Sequence, residues 1–372
     1  MVFFCNSNKI ISQPVISLIS GFAERGCRIC LSGKGFNLGL DIKKCEIKNI
    51  FLGPNIGAWF NNKIFIFLYP WLFLRLLIKF FIFSRKNPIN TFVLLGLNEK
   101  MLLTPIAKIL NIKIIWLEDP EFPIIKKTKL FVRFYKYFSK WSKIVSFFDK
   151  TALELKMIGV ADDKIFYLAP GVVLDQYQHQ ANIFSSLAKA ERSAVIKKYF
   201  TIGTVTDFKS PNQLESLFQA IKIALNVAPN IQLVIIGDGP DRKKYLWIAR
   251  KLEIGNLTWF VGEQKRLRKW LEDLDLFVST FESANLNNAE VIIKAMASNL
   301  PVCGFRNPGF ENILDEKFFV EMNDKEALAR EIIYYFKDKQ VRKKIGAENI
   351  DRAKKFFDLK VVLSKFEELL EL

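Results

Sequence analysis

Along the second half of the chain, apolar runs of strand length alternate with stretches of helical period. The runs are "FTIGTV", "QLVIIG", "LTWFV", "LFVST" and "PVCGF"; between them lie "QLESLFQAIKIAL", "RKKYLWIARKL", "RLRKWLEDL" and "AEVIIKAMAS". Apolar positions three and four apart predict helices, and short continuous apolar runs predict strands buried on both faces. Such strands need cover on both sides, which a parallel sheet wrapped by its own crossover helices provides. A doubly wound α/β domain is the expected fold of this half.

The first half repeats the theme less regularly. "MVFFC", "CRICLSG", "TFVLLG", "IKIIWLE", "KIVSFF" and "KIFYLAPG" are predicted strands, and "PVISLISGFAE" a helix begun near Ser12 with Pro14 in its first turn. The polar stretch "DQYQHQANIFSSLAKAERSAVIKK" separates the halves. The expected division is a first domain over 1–174, a linker over 175–198 and a second domain over 199–357, with a terminal helix from about 358 to 372 packing back on the first. Two such domains leave a cleft at the carboxyl ends of their sheets, where ligands bind.

Composition narrows the chemistry. The 372 residues exceed what one core usually serves. A net charge of +17 points to an anionic partner, phosphates or an acidic membrane face. The scattered cysteines at 5, 27, 30, 45 and 303 form no disulfide framework, and no secretory leader pattern opens the sequence, so a cytoplasmic setting is expected. "CRIC" has redox-like spacing but lies in a predicted strand, where positions three apart face opposite ways. One histidine, His179, sits in the polar linker, which excludes mechanisms built on a buried histidine pair or triad.

Several segments, in order, resemble the retaining, nucleotide-sugar-dependent glycosyltransferases with two Rossmann-like domains, the GT-B fold. They are "SGFAERGCRICLSG", "KIVSFFDKTALELKMIGVADDKIFYLAPGVVLDQY", "LVIIGDGPDRKKYLWIARKLEIGNLTWFVG", "DLFVSTFES", "KAMASNLPVCG", "PGFENIL" and "NDKEALAREI". The resemblance covers nearly the whole chain, strongly after residue 140, and rests on the ordered set, since no single segment is specific. It implies a nucleoside diphosphate sugar as donor, held without an essential bound metal by helix N-termini and basic side chains, because the leaving diphosphate gains negative charge as the glycosidic bond breaks.

The resemblance also implies site residues. Its paired glutamates, spaced E-x7-E, match Glu282 and Glu290, with Asn285 and Leu286 in the loop between. Yet "AMA" follows Glu290 four residues later than in the family, and anchoring on it puts Lys294 in the second acid's place and Leu286 in the first's. Asn287 with Glu290 three residues on forms a capping-box-like start that favours the first registration; equally, Glu290 is then only a cap. Thr204 and Gly237 of "GDGP" complete the expected donor-binding set. The family's Arg and Lys after the first strand of this domain are replaced by Asp207 and Asn212, leaving Lys209 as the nearby cation. The first domain's glycine loop is replaced by "NSNKIISQ", so backbone contacts to phosphate would come from Asn6 to Lys9. Where relatives carry a histidine, Glu118 or Asp119 stands here, a carboxylate able to take a hydrogen bond from sugar or acceptor. Glu118, Asp119 and Glu282 are the expected catalytic residues, and either Glu118 or Asp119 is equally read as a turn before Pro120.

Two stretches of the first half stand out. "KIFIFLYPWLFLRLLIKFFIFSRK", 63–86, is almost continuously apolar, and "KKTKLFVRFYKYFSKWSK", 126–143, interleaves aromatics with Lys and Arg. Pro70, Arg75 and Lys79 interrupt the first, so peripheral contact with an anionic membrane is expected rather than a span; a core helix beside a solvated basic helix is the alternative. No recognised module points to nucleic acid. The expected function is sugar transfer from a nucleoside diphosphate sugar to a glycan or lipid-linked acceptor in polysaccharide or glycolipid assembly, at the inner membrane face. The alternative is a catalytically inactive GT-B protein serving as a scaffold.

Overall fold

The computed structural model describes residues 2–5, 11–32, 45–47, 59–118, 129–175, 199–209, 213–307 and 309–371. It divides into two compact units, Met1–Gly171 with Leu359–Leu372, and Val172–Asp358.

The first unit is built on β1 (Val2–Cys5), β2 (Ile29–Ser32), β3 (Cys45–Ile47), β4 (Thr91–Leu94), β5 (Lys113–Glu118), β6 (Lys143–Ser146) and β7 (Ile165–Tyr167). They pair in parallel in the order β3-β2-β1-β4-β5-β6-β7. Strands β1, β2 and β4 are buried almost end to end, as their apolar sequences require. The helices are α1 (Gln13–Glu24), α2 (Trp59–Lys86), α3 (Leu97–Ile109), α4 (Lys129–Ser139) and α5 (Asp149–Met157). Because β3, β4, β5 and β6 succeed one another in one direction across the sheet, right-handed crossovers put α2, α3 and α4 on one face. Their apolar sides, with Phe3 and Phe92 from the strands, form one core; Phe80 of α2 lies edge-on to both rings, at 5.3 and 5.1 Å. Among the described residues Cys5, Cys30 and Cys303 are buried free thiols, and burial lifts the Cys5 thiol well above its usual range.

The second unit carries β8 (Phe200–Val205), β9 (Ile231–Ile236), β10 (Thr258–Gly262), β11 (Leu276–Ser279), β12 (Val302–Phe305) and β13 (Phe319–Val320), in the parallel order β10-β9-β8-β11-β12-β13. Its helices are α6 (Leu214–Ala224), α7 (Arg242–Lys251), α8 (Leu267–Leu271), α9 (Leu286–Ala297), α10 (Lys325–Lys337) and α11 (Lys339–Phe357). The strand order reverses between β8 and β11, so the loops leaving those two strands diverge and open a crevice at the carboxyl edge. The last helix, α12 (Leu359–Glu371), belongs to the first unit, where Phe366 meets Phe22 of α1 at 5.5 Å and Glu367 pairs with Arg25 at 2.6 Å.

Candidate functional site

The crevice beyond β8 and β11 collects polar side chains on buried backbone. Thr204, fully buried near the end of β8, shares a 3.3 Å hydrogen bond with Thr280, the residue after β11. Gln213 then links three segments: its backbone N–H donates to the Thr280 carbonyl at 3.1 Å, its amide donates to Glu282 Oε1 at 2.6 Å, and its side-chain oxygen accepts from the Asn323 N–H at 3.2 Å. Asn307, buried after β12, donates to the Phe281 carbonyl at 3.2 Å, while its oxygen accepts from the Gly309 N–H. A Cβ on Gly309 would come within 2.0 Å of Ala284, so only glycine lets the two loops close together. Glu282 is thereby held at the mouth of the switch point by a charge-assisted hydrogen bond.

The loop leaving β8 is pinned too. Phe208 takes a left-handed backbone, φ 48°, rare for a bulky residue, and is fully buried with its ring 6.0 Å from Phe260. Its N–H donates to Thr206 Oγ1, and its carbonyl accepts from Asp241. Gly237 explains how this loop fits: it has φ 129°, and a Cβ there would stand 1.8 Å from the Thr206 carbonyl oxygen. The "GDGP" turn thus lets two backbones pass in contact.

Helix α9 carries both candidates for the second acid's place. It runs unbroken from Leu286 to Ala297, so "VIIK" is one of its turns, and Glu290 and Lys294, one turn apart, form an ion pair of 2.6 Å. Both positions that competed for the second acid's place therefore stand on one helical face. The capping expectation is corrected: Asn285 is the N-cap, its Oδ1 accepting from the Asn288 N–H at 2.8 Å, and Glu290 lies in the second turn, buried. Asn285 outcompetes Asn287 because its extended backbone lets a short side chain reach back over the helix start. Leu286 is buried as the first helical residue.

Lys209 does not turn inward. Its side chain is 70% exposed and lies 3.4 Å from Asp207. Other cations around this edge are also paired, Arg242 with Asp238, Lys294 with Glu290, and Arg306 with Glu316 and Glu321.

In the first unit, Glu118 ends β5 as part of a buried cluster. Its Oε1 accepts from Lys100 Nζ and from the Tyr135 hydroxyl, both at 2.6 Å, and Lys100 also donates to the Leu117 carbonyl. Trp116 packs edge-on to Tyr135 at 4.7 Å and donates to Thr104. Burial first, and the Glu118 carboxylate second, push the Tyr135 phenol well above its usual range, so it remains a neutral donor. Glu118, expected to take a hydrogen bond from sugar or acceptor, is instead buried and engaged by Lys100 and Tyr135. Asp119, Asn212, His179 and the segment Asn6 to Lys9 lie outside the described residues. Sequence reasoning missed Gln213, Thr280 and Asn307; the two hydroxyl residues ending "LFVST" were the visible signal for one of them, and a lone glutamine before a helix gives none.

Residues 187–352 match the family model described as glycosyl transferases group 1. The matched stretch falls within the second unit. Among relatives, an N-acetyl-alpha-D-glucosaminyl L-malate synthase of Bacillus anthracis is 26% identical over 171 residues, 44% of this chain and 43% of that protein. The chain spans about half the length of the curated relatives it matches. Of solved structures, Anabaena Alr3699/HepE in complex with UDP superposes with a TM-score of 0.78 at 13% identity, covering 100% of this chain and 99% of that one. A glycosyltransferase from Rickettsia africae ESF-5 gives 0.79 at 16%, covering 100% and 97%. These likenesses show the GT-B fold of two Rossmann-like domains. The switch-point crevice between β8 and β11 lies inside the matched stretch.

Proposed function

We propose that the chain is a retaining glycosyltransferase that moves a sugar from a nucleoside diphosphate sugar to a glycan or lipid-linked acceptor, in polysaccharide or glycolipid assembly at the cytoplasmic face of a membrane. The observation that carries this reading is the construction around Glu282: a carboxylate set by Gln213 at the point where the sheet of the matched stretch reverses its strand order. The UDP seen with the Anabaena neighbour supports a nucleotide in such a fold. In this reading Glu282 takes the sugar end of the donor and Glu290 the ribose. Lys209, from its exposed loop, swings onto the diphosphate, where a cation offsets the charge that develops on leaving. No metal is called on, and the leaving phosphate itself takes the acceptor proton on the same face of the sugar.

One observation favours the second reading, a GT-B scaffold without activity: the cations at the crevice are already paired with acids of the same unit. Thermal shift with a panel of nucleotide sugars separates the two. An enzyme is stabilised by one class of nucleotide, by about 2.7 kcal/mol when ligand is at a hundredfold excess over Kd, and Glu282→Ala abolishes the shift. Silence across the panel with a folded chain selects the scaffold.

A further inference from the structure

Helix α2 is 28 residues long, and its segment Lys63–Lys86 is apolar enough by composition to cross a membrane, with a mean hydropathy of 1.9. It cannot do so here, because one side of it is core: Phe65, Leu72, Leu76 and Phe80 are buried against the first sheet and its neighbouring helices. The opposite side is the unusual one. Phe67, Trp71, Leu74, Ile78, Phe81 and Ile82 are all exposed, Phe67 to 85%. At about 100° per residue, Phe67, Leu74, Ile78 and Phe81 point directly away from the core, a stripe running roughly 20 Å along the helix. Arg75, Lys79 and Lys86 lie roughly a quarter-turn round from that stripe, exposed on one shoulder. The Arg75 guanidinium stacks on Trp71 at 5.2 Å and that of Arg85 on Phe81 at 4.5 Å.

Helix α4, in the same helical layer, carries the same residue types with the order reversed. Phe131 on its buried side meets Phe65 of α2 at 6.4 Å, while Lys129, Arg133, Lys136 and Lys140 point directly away from the core and Leu130, Phe134 and Tyr137 are exposed along one flank. Neither helix contains a single Asp or Glu. Large exposed apolar stripes cost solubility and mark interaction surfaces. Two acid-free helices, one with an apolar crest and basic shoulder and the other with a basic crest and apolar flank, match an anionic bilayer, whose acyl region receives the apolar stripe of α2 while Lys and Arg of both helices reach the lipid phosphates. A protein partner would need a matching acidic rim around an apolar groove, whereas a bilayer offers both to any such face without further fitting.

We infer that the α2–α4 face is a monotopic docking surface for a membrane rich in anionic phospholipid, with α2 lying in the plane of the interface and Phe67, Trp71, Leu74, Ile78 and Phe81 inserted. This deepens the proposed location at a membrane and rests on it, but not on the sugar chemistry, because docking is read without any donor.

The full chain is floated with vesicles of phosphatidylcholine alone, and with vesicles containing about one-third phosphatidylglycerol. It is expected to float with the second and not the first, and less so in high salt. Brominated acyl chains are expected to quench a fluorescence component that is absent in Trp71→Phe. Arg75→Gln, Lys79→Gln and Lys140→Gln are each expected to weaken partition about fivefold, and Phe67→Ser with Leu74→Ser about a hundredfold. Trp247→Ser, which removes an equally exposed aromatic from the second unit, leaves partition unchanged. These surface changes leave the core side of α2 intact, and an unaltered melting temperature confirms folding. The inference is overturned by failure to bind anionic vesicles, by binding indifferent to the α2 changes, or by a chain that elutes as a dimer with Trp71 shielded and ignores lipid, which would seat a second copy on this face.

Discussion

Lys100 and Glu118 show what a buried charge commits a fold to. Each is almost wholly withdrawn from water, and their contact is supplemented by the Tyr135 hydroxyl and the Leu117 carbonyl. Removing one partner strands the other's charge in the core, which costs about 3–5 kcal/mol. Lys100→Met is therefore predicted to lower stability by about that amount in chemical denaturation, and Lys100→Met with Glu118→Leu to lose much less than either single change. Losses that simply add would contradict the pairing. Asp275 makes an opposite case. Burial raises its carboxyl above the usual range, only partly offset by the Thr201 N–H. The native state then holds this proton more tightly than the unfolded chain does, so the ionised group weakens the fold above its native titration point and the penalty disappears below the unfolded one. Asp275→Asn keeps an acceptor for Thr201. It is predicted to raise the melting temperature at neutral pH and to leave it unchanged in acid; an equal gain at both would sink the assignment.

At the scale of elements, α9 is where sequence and structure part most instructively. Its existence follows from the apolar periodicity of "AEVIIKAMAS", but its start does not, because "ANLNNAE" offers three asparagines that all make good caps. The structure chooses Asn285 and so moves Glu290 from the first turn to the second, onto Lys294. Asn285→Ala is predicted to cost about 1 kcal/mol, read as an increased hydrogen-exchange rate at Asn288. The strands were legible wherever both faces are apolar. The short edge strands β3 and β13 were not, since two or three residues carry no period. Tertiary contacts explain the rest: Gln213 reaches Glu282 across 69 positions and Asn323 across 110. No local pattern encodes either.

At the scale of the molecule, the first unit carries an acid-free apolar face and a spent carboxylate, and the second carries the ordered crevice. In the proposed reading the first unit meets the membrane and the second the donor. The net charge of +17 then has a use in both, against lipid and against diphosphate. Glu282 was singled out by its spacing to Glu290, and the Glu290–Lys294 and Asp238–Arg242 pairs stand four positions apart, whereas Arg306 with Glu316 and Glu321 spans a loop that no local pattern predicts. The most direct test is a crystal structure of the chain soaked with the nucleoside diphosphate that stabilises it most. The account predicts density between the loops that follow β8 and β11, with a ribose or sugar hydroxyl within hydrogen-bonding distance of Glu282 or Glu290. A nucleotide bound away from that crevice, with both carboxylates untouched, would contradict it.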